Sequence, residues 1–342
     1  MGGMETTTAG NERLDRLKHW LMQELGLRVR ALEAITNDAS FRRYFRVHLA
    51  QTTHIAMDAP PGQEDCHAFG AVAKLLRQAG VNAPEVLAQK RAEGFLLLTD
   101  LGRESYLDAI GGADVDPDVL FTDAIDALIR WQAASEPGCL PPYDRDLLQR
   151  ELDLFPDWYF ARHLGLELST AQREHWQEIC DRLIDSALGQ TAVYVHRDYM
   201  VRNLMHCKPN PGVIDFQDAV YGPVTYDLVS LLRDAFISWE PLRETRWLRY
   251  YRVRARSEGI PITADEDEFR RQLDWMGLQR HLKVIGIFAR LRYRDGKPRY
   301  LAETPRFLGY VREAAARYPL LAGLLDLLDD LPRGQQGQKP VP

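Results

Sequence analysis

The chain has 342 residues, which is enough for two subdomains or for one large domain with a sizeable core. Hydrophobic residues make up 45% and charged residues 27% of it, as in ordinary globular proteins. The net charge of -6 argues against a nucleic-acid-binding protein, which usually presents a basic face, and it means that an anionic substrate would need a local basic pocket.

The four cysteines stand far apart, at Cys66, Cys139, Cys180 and Cys207. They form no C-x-x-C pair, so we expect neither a structural zinc site nor a disulfide framework, and we expect a reducing, cytoplasmic compartment. The first residues, "MGGMETTTAGNERL", lack the apolar core of a secretory signal. No run approaches the about 18 apolar residues that span a membrane, so no membrane partner is expected.

The first hundred residues predict a small β-sheet with helices. Leucines at helical spacing predict an amphipathic helix over 11–25, and a second helical pattern covers 64–79 and ends at Gly80. "TNDASFRRYFRVHLA" begins with turn residues and continues as a strand, and "HIAMDAP" predicts another strand that two prolines end. "EVLAQKRAEGFLLLTDLG" predicts two strands around a turn at Glu93 and Gly94.

Helical patterns dominate after Leu101. They cover about 116–134, 144–164, 170–188, 225–239, 265–292 and 303–330. Between them, the apolar runs "AVYV", "NLMH" and "GVIDF" predict short strands that present loops. We therefore predict an α+β fold with a β-rich lobe over 1–101, a helical lobe over 102–330 and a disordered tail over 331–342.

The stretch "VYVHRDYMVRNLMH" contains polar side chains suited to catalysis. Asp198 stands where a strand gives way to a loop and can accept the proton of an attacking hydroxyl. Asn203 follows five residues later, and the strand "GVI" delivers Asp215. One Asn and one Asp are a plausible protein share of a Mg²⁺ site, because this ion prefers oxygen ligands and keeps several waters. Such a base, Asn and Asp in order form the phosphoryl-transfer set of kinases, although His196, Asp198 and Asn203 could also simply cap turns.

These residues stand within a longer stretch, "HRDYMVRNLM…GVIDFQDAVYGPVTYDLVSLLRDAF", which resembles the aminoglycoside phosphotransferase family, a family with a protein-kinase-like fold. Together with "GIFARLRYRDGKPRYL", it looks most like the anomeric amino-sugar kinases of bacterial cell-wall recycling, which phosphorylate C1 of N-acetylmuramate and N-acetylglucosamine. The resemblance covers roughly residues 30–320 and is strongest over 193–236. It implies two lobes, of which the first binds ATP and the second carries the catalytic loop and the acceptor site.

The resemblance also implies roles for single residues near this loop. Asp198 would be the catalytic base, and Asn203 and Asp215 would be Mg²⁺ ligands. His196 and Asp227 would be structural anchors, with the carboxylate of Asp227 holding the catalytic loop.

Nucleotide contacts are expected from two segments of the first lobe. "LLLTDLG" matches the hinge strand of the family, so adenine would meet the backbone of Leu98, Thr99 and Asp100. The turn "DASFRRYFRV" would supply backbone N–H groups and cations to the phosphates, with contacts from Ser40, Phe41, Arg43 and Val47.

One departure from the family pattern concerns the lysine that a kinase-like lobe carries on the strand before its inserted helix. This chain has Met57 and Asp58 there, so another cation must hold the phosphates. Alternation along a strand places Arg43 on the side of Val47. If Val47 covers the adenine, Arg43 leans toward the nucleotide, but it could equally be a solvated strand residue.

Three polar residues are candidate sugar contacts. Gln217 and Asp218 follow the metal-binding Asp and could bind hydroxyl groups, or they could cap a turn. Arg202 lies inside the catalytic loop and could meet a substrate carboxylate, or it could pair with a nearby acid.

Two alternatives to an amino-sugar kinase stay open. A kinase for another small alcohol, of the aminoglycoside, choline or homoserine type, would use the same catalytic residues, although the basic "FARLRYRDGKPR" does not suit a polycationic drug. A nucleotide-binding pseudokinase would account for the missing lysine but not for the intact catalytic residues. We expect a monomer that binds a small amino sugar and no nucleic acid.

Overall fold

The computed structural model describes residues 5–35, 42–62, 66–112 and 115–330. The predictions for Ser40, Phe41 and the tail 331–342 lie outside the described residues. Two compact units can be distinguished, one made of Met1–Arg103 with Met205–Gln217 and the other of Glu104–Leu204 with Asp218–Pro342. The predicted boundary at Leu101 lies close to this division, and the first unit also includes Met205–Gln217, which the prediction assigned to the helical lobe.

A five-stranded antiparallel sheet forms the centre of the first unit. Its strands lie in the order β1-β2-β3-β5-β4. Their bounds are β1 Ala31–Ile35, β2 Arg43–His48, β3 Thr53–Asp58, β4 Val86–Lys90 and β5 Phe95–Thr99. Strands β2 to β5 agree with the sequence prediction. Strand β1 was missed because its side chains are exposed or half-buried and show no apolar alternation.

Two helices accompany this sheet, α1 at Glu5–His19, which continues as a π-helical turn over Trp20–Glu24, and α2 at Cys66–Gln78. Helix α1 and its turn cover one face of the sheet. Eight buried side chains form this contact: Leu17, Trp20, Leu21, Phe45, Val47, Ala56, Phe95 and Leu97. Since side chains alternate along a strand, the other face presents Tyr44 and Arg46 of β2.

The second unit is mainly helical. Its helices are α3 Tyr106–Ile110, α4 Pro117–Ala133, α5 Arg145–Leu152, α6 Thr170–Leu188, α7 Tyr226–Leu232, α8 Pro241–Ser257, α9 Glu266–Tyr293, α10 Thr304–Ala315 and α11 Ala322–Asp329. A π-helical segment covers Phe155–Leu164, and 3-10 turns cover Val201–Asn203, Pro298–Glu303 and Pro319–Leu321. The α+β class predicted from the sequence is confirmed.

The central helix of this unit is α9, which packs against α6, α7, α10 and the π-helical segment. A Cβ atom at Gly286 would lie 2.4 Å from the backbone of Leu154. Glycine is therefore required there, because the chain at Leu154 approaches the axis of α9 too closely for any side chain. This close approach brings the end of α5 toward the middle of α9.

Two differences from the predicted helices have local causes. Helix α8 was missed although Pro241 opens it and Trp247, Leu248 and Tyr251 are buried at helical spacing. The single helix predicted over 303–330 is two helices, because Pro319 lacks the backbone N–H that a continuous helix needs and opens a 3-10 turn instead.

The loop that carries Asp198 and Asn203 lies in the chain between strands of two small two-stranded sheets. Strand β6, Ala192–Val195, pairs antiparallel with β9, Val220–Pro223. Strand β7, Leu204–Met205, pairs with β8, Gly212–Val213. The loop 196–203 joins β6 to β7. Among the described residues, no helix is long and apolar enough to cross a membrane.

Candidate active site

The loop 196–203 begins at a buried carboxylate. The backbone N–H of His196 donates to Asp227 Oδ2 at 2.6 Å, and that of Arg197 donates to Oδ1 at 3.0 Å. Asp227 lies in the first turn of α7 and is fully buried. Burial raises the pKa of Asp227 to about 7, although the two N–H donors act in the opposite direction. These contacts support the anchoring role expected for Asp227.

A second buried carboxylate, which the sequence prediction missed, holds the other end of the loop. Asp234 follows the end of α7, is fully buried, and accepts the backbone N–H of Val201 at 3.2 Å. The signal was present in the sequence, because Asp234 stands eight residues or about two helical turns after the apolar stretch begins at Tyr226. Both ends of the loop are therefore tied to the two ends of one short helix.

Further hydrogen bonds within the loop involve Asp198. Its backbone N–H donates to Nδ1 of the buried His196 at 3.3 Å, and its carbonyl accepts Nδ2 of Asn203 at 2.9 Å. Asn203 is 9% exposed, whereas the side chain of Asp198 is half-buried. The amide nitrogen of Asn203 thus stabilises the loop, and its amide oxygen is the atom suited to a cation.

Arg197 and Arg202 have different surroundings. The guanidinium of Arg197 donates to Glu151 and, through Nη1, to the carbonyl of Asp218 at 3.3 Å. The guanidinium of Arg202 lies 4.8 Å from the ring centre of Phe236, a cation–π contact. Arg202 was expected beside either a substrate carboxylate or an acid, and this aromatic partner was not foreseen. The contact of Asp218 with Arg197 is made by its backbone carbonyl, and the side chain of Asp218 is exposed.

Asp215 belongs to the first unit and follows β8. Its side chain is exposed and accepts Nε2 of Gln217 at 3.0 Å. The residue between them, Phe216, is buried and contacts Phe69 of α2 with 4.8 Å between ring centres. Phe216 therefore fixes this segment on α2, while Gln217, which was predicted to bind sugar, orients the carboxylate of Asp215.

Backbone strain occurs in both of these segments. In the described parts of the chain, the non-glycine residues with positive φ are Arg197, at 75°, and Asp215, at 66°. Such values are uncommon for residues with a side chain, and they cluster at functional sites where the surroundings hold them.

Arg43 and Val47 were expected to face the nucleotide, but the face of the sheet that carries them is covered by α1. Val47 is completely buried in the cluster under α1. Nε of Arg43 donates to Asp58 Oδ2 at 3.0 Å, and Nε of Arg13 in α1 donates to Oδ1 at 3.0 Å. The alternation was predicted correctly, but α1 covers this face. The structure therefore disagrees with the predictions that Val47 contacts adenine and that Arg43 turns toward the phosphates.

The opposite face of the sheet carries Arg46 and Leu98, whose strands are both paired with β3 at Ile55. Nε of Arg46 donates to Asp100 Oδ2 at 2.6 Å, and its Nη2 donates to the carbonyl of Gly102 at 2.6 Å. Burial raises the pKa of Asp100, but the hydrogen bonds from Arg46 and other donors outweigh it and hold that pKa below its usual range. Arg46, one of the cations near the turn that could have met the phosphates, instead fixes the chain after β5.

The three predicted hinge residues differ in their backbone and side-chain bonds. Thr99 donates its backbone N–H to Glu85 at 3.0 Å and accepts the N–H of Glu85 on its hydroxyl at 2.9 Å. The N–H of Thr99 is thus used within the sheet, and the carboxylate of Asp100 is used by Arg46. Leu98 is 2% exposed and packs in the sheet.

Comparison with known proteins places the chain in a family. A family model described as "Phosphotransferase enzyme family" matches residues 31–260, more than half of the chain. The chain belongs to the phosphotransferase enzyme family. This phosphotransferase is 54% identical over 301 residues to a protein from Pseudomonas aeruginosa, with 88% of each chain covered. It is 51% identical to a protein from Pseudomonas putida, with 94% of this chain and 97% of that one covered. Both relatives are named N-acetylmuramate/N-acetylglucosamine kinase.

Solved structures share the fold of this phosphotransferase at low sequence identity. Choline kinase from Streptococcus pneumoniae aligns with a TM-score of 0.63 at 13% identity, covering 89% of this chain and 99% of that one. An ADP-bound aminoglycoside phosphotransferase aligns with a TM-score of 0.58 at 15% identity, covering 87% and 98%. The protein-kinase-like fold and the family predicted from the sequence are confirmed.

Proposed function

We propose that this phosphotransferase is an ATP-dependent kinase for the anomeric C1 hydroxyl of N-acetylmuramate and N-acetylglucosamine, and that it serves peptidoglycan recycling. One observation carries the proposal: two relatives that are 54% and 51% identical over most of both chains are named for kinase activity on these two sugars. The catalytic residues Asp198, Asn203 and Asp215 are all present, which supports turnover rather than nucleotide binding alone.

Asp198 is the proposed general base. As the C1 oxygen attacks the γ-phosphorus of ATP, a new O–P bond forms, the bond to the ADP oxygen breaks, and the hydroxyl proton passes to the carboxylate of Asp198. Support comes from the loop that carries it, since buried Asp227 and Asp234 hold its two ends and the Asn203 amide binds the carbonyl of Asp198. A base held in this way needs little reorganisation during the reaction.

Asn203 and Asp215 are the proposed ligands of Mg²⁺. The donor set suits that ion, because an amide oxygen and an exposed carboxylate are hard oxygen donors and Mg²⁺ keeps several waters. When bound, Mg²⁺ would neutralise charge on the phosphates. Gln217 orients the Asp215 carboxylate through its 3.0 Å bond.

ATP is proposed to bind the first unit at Leu98–Asp100, on the face of the sheet that α1 does not cover. The bonds from Arg46 to Asp100 and Gly102 support this, because they give the chain after β5 a defined path along which adenine can lie. We further propose a cytoplasmic monomer. The four cysteines stand far apart in the sequence without a C-x-x-C pair, which suits a reducing compartment.

The test uses purified protein with Mg²⁺-ATP and a panel of free sugars. We expect ADP release with N-acetylmuramate and N-acetylglucosamine, and a sugar 1-phosphate identified by ³¹P NMR. The matched control is the methyl glycoside of N-acetylglucosamine, which has no free C1 hydroxyl and should be inert. Phosphorylation of that glycoside would move the reaction to another carbon and contradict the anomeric assignment.

The same panel separates the alternatives. Choline and an aminoglycoside are included because a choline kinase and an aminoglycoside phosphotransferase share the fold at 13% and 15% identity, and homoserine is included as a further small alcohol. Turnover with one of them and with neither amino sugar would replace the proposed substrate. Binding of ATP without turnover of any acceptor would indicate a pseudokinase.

A further inference from the structure

A buried carboxylate contacts the loop that carries Asp198, and sequence analysis did not select it. Glu151, near the end of α5, is 5% exposed. Four side chains donate to it, and with it they form what we call the Glu151 cluster: Tyr143, Arg197, Gln279 and Lys283. Arg197 and Lys283 contact Oε1, the latter at 2.8 Å, while Tyr143 and Gln279 donate to Oε2. Each carboxylate oxygen therefore has two partners.

The charges in the Glu151 cluster depend on one another. Burial raises the pKa of Glu151, but the positive charges of Lys283 and Arg197 outweigh this and lower it to about 2. Lys283 is 7% exposed and also donates to the hydroxyl of Tyr226 at 3.0 Å. Removing one charge would leave another buried without its partner, which is costly, so the three ionised groups favour a single arrangement.

Arg197 is the member of the cluster that belongs to the loop, and it directly precedes Asp198. Its φ of 75° lies in the left-handed region, which a residue with a side chain adopts only when its surroundings hold it there. Asp227 holds its backbone N–H at 3.0 Å, and Glu151 holds its guanidinium. The backbone direction at Asp198 therefore depends on contacts made at both ends of Arg197.

We propose that Glu151 and Lys283 are positioning residues, which hold Arg197 and through it set the orientation of the Asp198 carboxylate. The inference rests on the proposed function, because it takes Asp198 as the general base. It adds that helices α5 and α9, which carry Glu151 and Lys283, take part in turnover without touching either substrate. Their contribution appears in the chemical step and not in the binding of ATP or sugar.

The first variant is Glu151→Gln, which keeps the shape of the side chain and removes its charge. We expect kcat to fall between about tenfold and a hundredfold with both sugars, as for a modest misplacement of a catalytic group. The KM values for ATP and sugar should stay near those of the wild type. A second variant, Glu151→Gln with Lys283→Met, removes one charge of each sign and should recover thermal stability while kcat stays low. Recovery of kcat together with stability would show a merely structural role and overturn the proposal.

A double-mutant cycle with Arg197→Met tests whether Glu151 acts through Arg197. All values of kcat are measured at a temperature at which circular dichroism shows every variant folded. If the proposal holds, Glu151→Gln has little further effect on kcat in the Arg197→Met background. Equal factors in both backgrounds would contradict it. Crystal structures of the variants add a readout that needs no acceptor, since Arg197 should leave the left-handed region in Glu151→Gln.

Asp274→Asn is the matched control. Asp274 also lies on α9, is fully buried, and accepts hydrogen bonds from Arg233, Arg317 and Tyr318, none of them in the loop 196–203. We expect this variant to lose stability but to keep its kcat while folded; an equal loss of kcat would overturn the proposal. Failure of the proposed function would appear in the wild type, as no turnover of either sugar, whereas failure of this inference appears only among the variants.

Discussion

Asp58 in the first unit and Glu151 in the second unit are both buried carboxylates that bind two cations. Asp58 is fully buried and accepts hydrogen bonds from Arg13 and Arg43. Glu151 is 5% exposed and binds Arg197 and Lys283. The chemistry is the same at both places, because a carboxylate removed from water needs charged, hydrogen-bonded partners.

The difference lies in the segments that the cations belong to. Arg13 and Arg43 join α1 to β2, and both elements are also held by the apolar cluster that includes Leu17 and Val47. Arg197 instead belongs to the loop 196–203, which carries Asp198. An ion pair between two packed elements contributes stability, whereas we propose that the similar pair to the loop 196–203 also sets the orientation of the Asp198 carboxylate.

The largest effect is expected at the base itself. Asp198→Asn keeps the shape of the side chain but cannot accept the proton, so kcat should fall on the order of a thousandfold, or about 4 kcal/mol of barrier. The affinity for ATP, measured by calorimetry, should change little. Turnover near the wild-type rate would mean that the loop 196–203 does not carry the base, and the contrast with Asp58 would lose its basis.

The next effect concerns the metal ligands. Asp215→Ala and Asn203→Ala should each lower kcat/KM for Mg²⁺-ATP on the order of a hundredfold, with Asp215 the more severe because it contributes a charge. Titration of activity against free Mg²⁺ should show a weaker apparent affinity in both variants. Activity of the wild type that survives an excess of chelator would contradict the assignment of these residues.

Asp58→Asn sharpens the comparison from the structural side. It leaves Arg13 and Arg43 without a charged partner, so the free energy of unfolding should fall by about 2–3 kcal/mol, which is below the full value for a buried pair because Arg43 is 35% exposed. Chemical denaturation measures the loss. While folded, the variant should keep the kcat of the wild type. A loss of kcat in the folded variant would mean that Asp58, like Glu151, affects turnover and not stability alone.

A pH effect is expected from Asp227. Because its pKa of about 7 in the folded chain lies above the usual 3.8, the folded chain binds this proton more tightly than the unfolded chain. The stabilisation is therefore complete below about pH 4 and is lost as the pH rises to about 7, by up to about 1.4 kcal/mol per unit. Asp227→Asn lacks this dependence. The difference in unfolding free energy between the two proteins, followed by denaturation from pH 4.5 to 7.5, should change accordingly; a constant difference would argue against the raised pKa.

The smallest effects concern the two arginines at the start of β2. Arg43→Ala should cost about 1 kcal/mol or less of stability and leave the KM for ATP unchanged, because its guanidinium binds Asp58 under α1. Arg42 directly precedes β2, and continued alternation would place it on the face of Tyr44 and Arg46, so Arg42→Ala should raise the KM for ATP, but by less than tenfold, or about 1.4 kcal/mol. Steady-state kinetics on both variants decide between the two faces. A larger increase of the KM for ATP in Arg43→Ala than in Arg42→Ala would indicate that Arg43 contacts the nucleotide.

The elements that local sequence patterns specify were predicted correctly. Strands β2 to β5 follow from alternation and from Gly and Pro turns, and the order of Asp198, Asn203 and Asp215 pointed to phosphoryl transfer before any fold was known. The contacts of Gln217 with Asp215 and of Arg202 with Phe236 were not foreseen, because side-chain partners depend on the folded path of the chain, and their sugar contacts stay predictions.

The amino-acid order alone sets which chemical groups the loop 196–203 presents, since their spacing along the chain is covalent. It also determined that Arg43 and Val47 share a face, because alternation is a property of any strand. The covering of that face by α1 and the contacts of Glu151 with Arg197 and Lys283 become visible only in the folded chain. These partners lie far apart in the chain, and a buried charge selects its partner by proximity and desolvation, which no local pattern records.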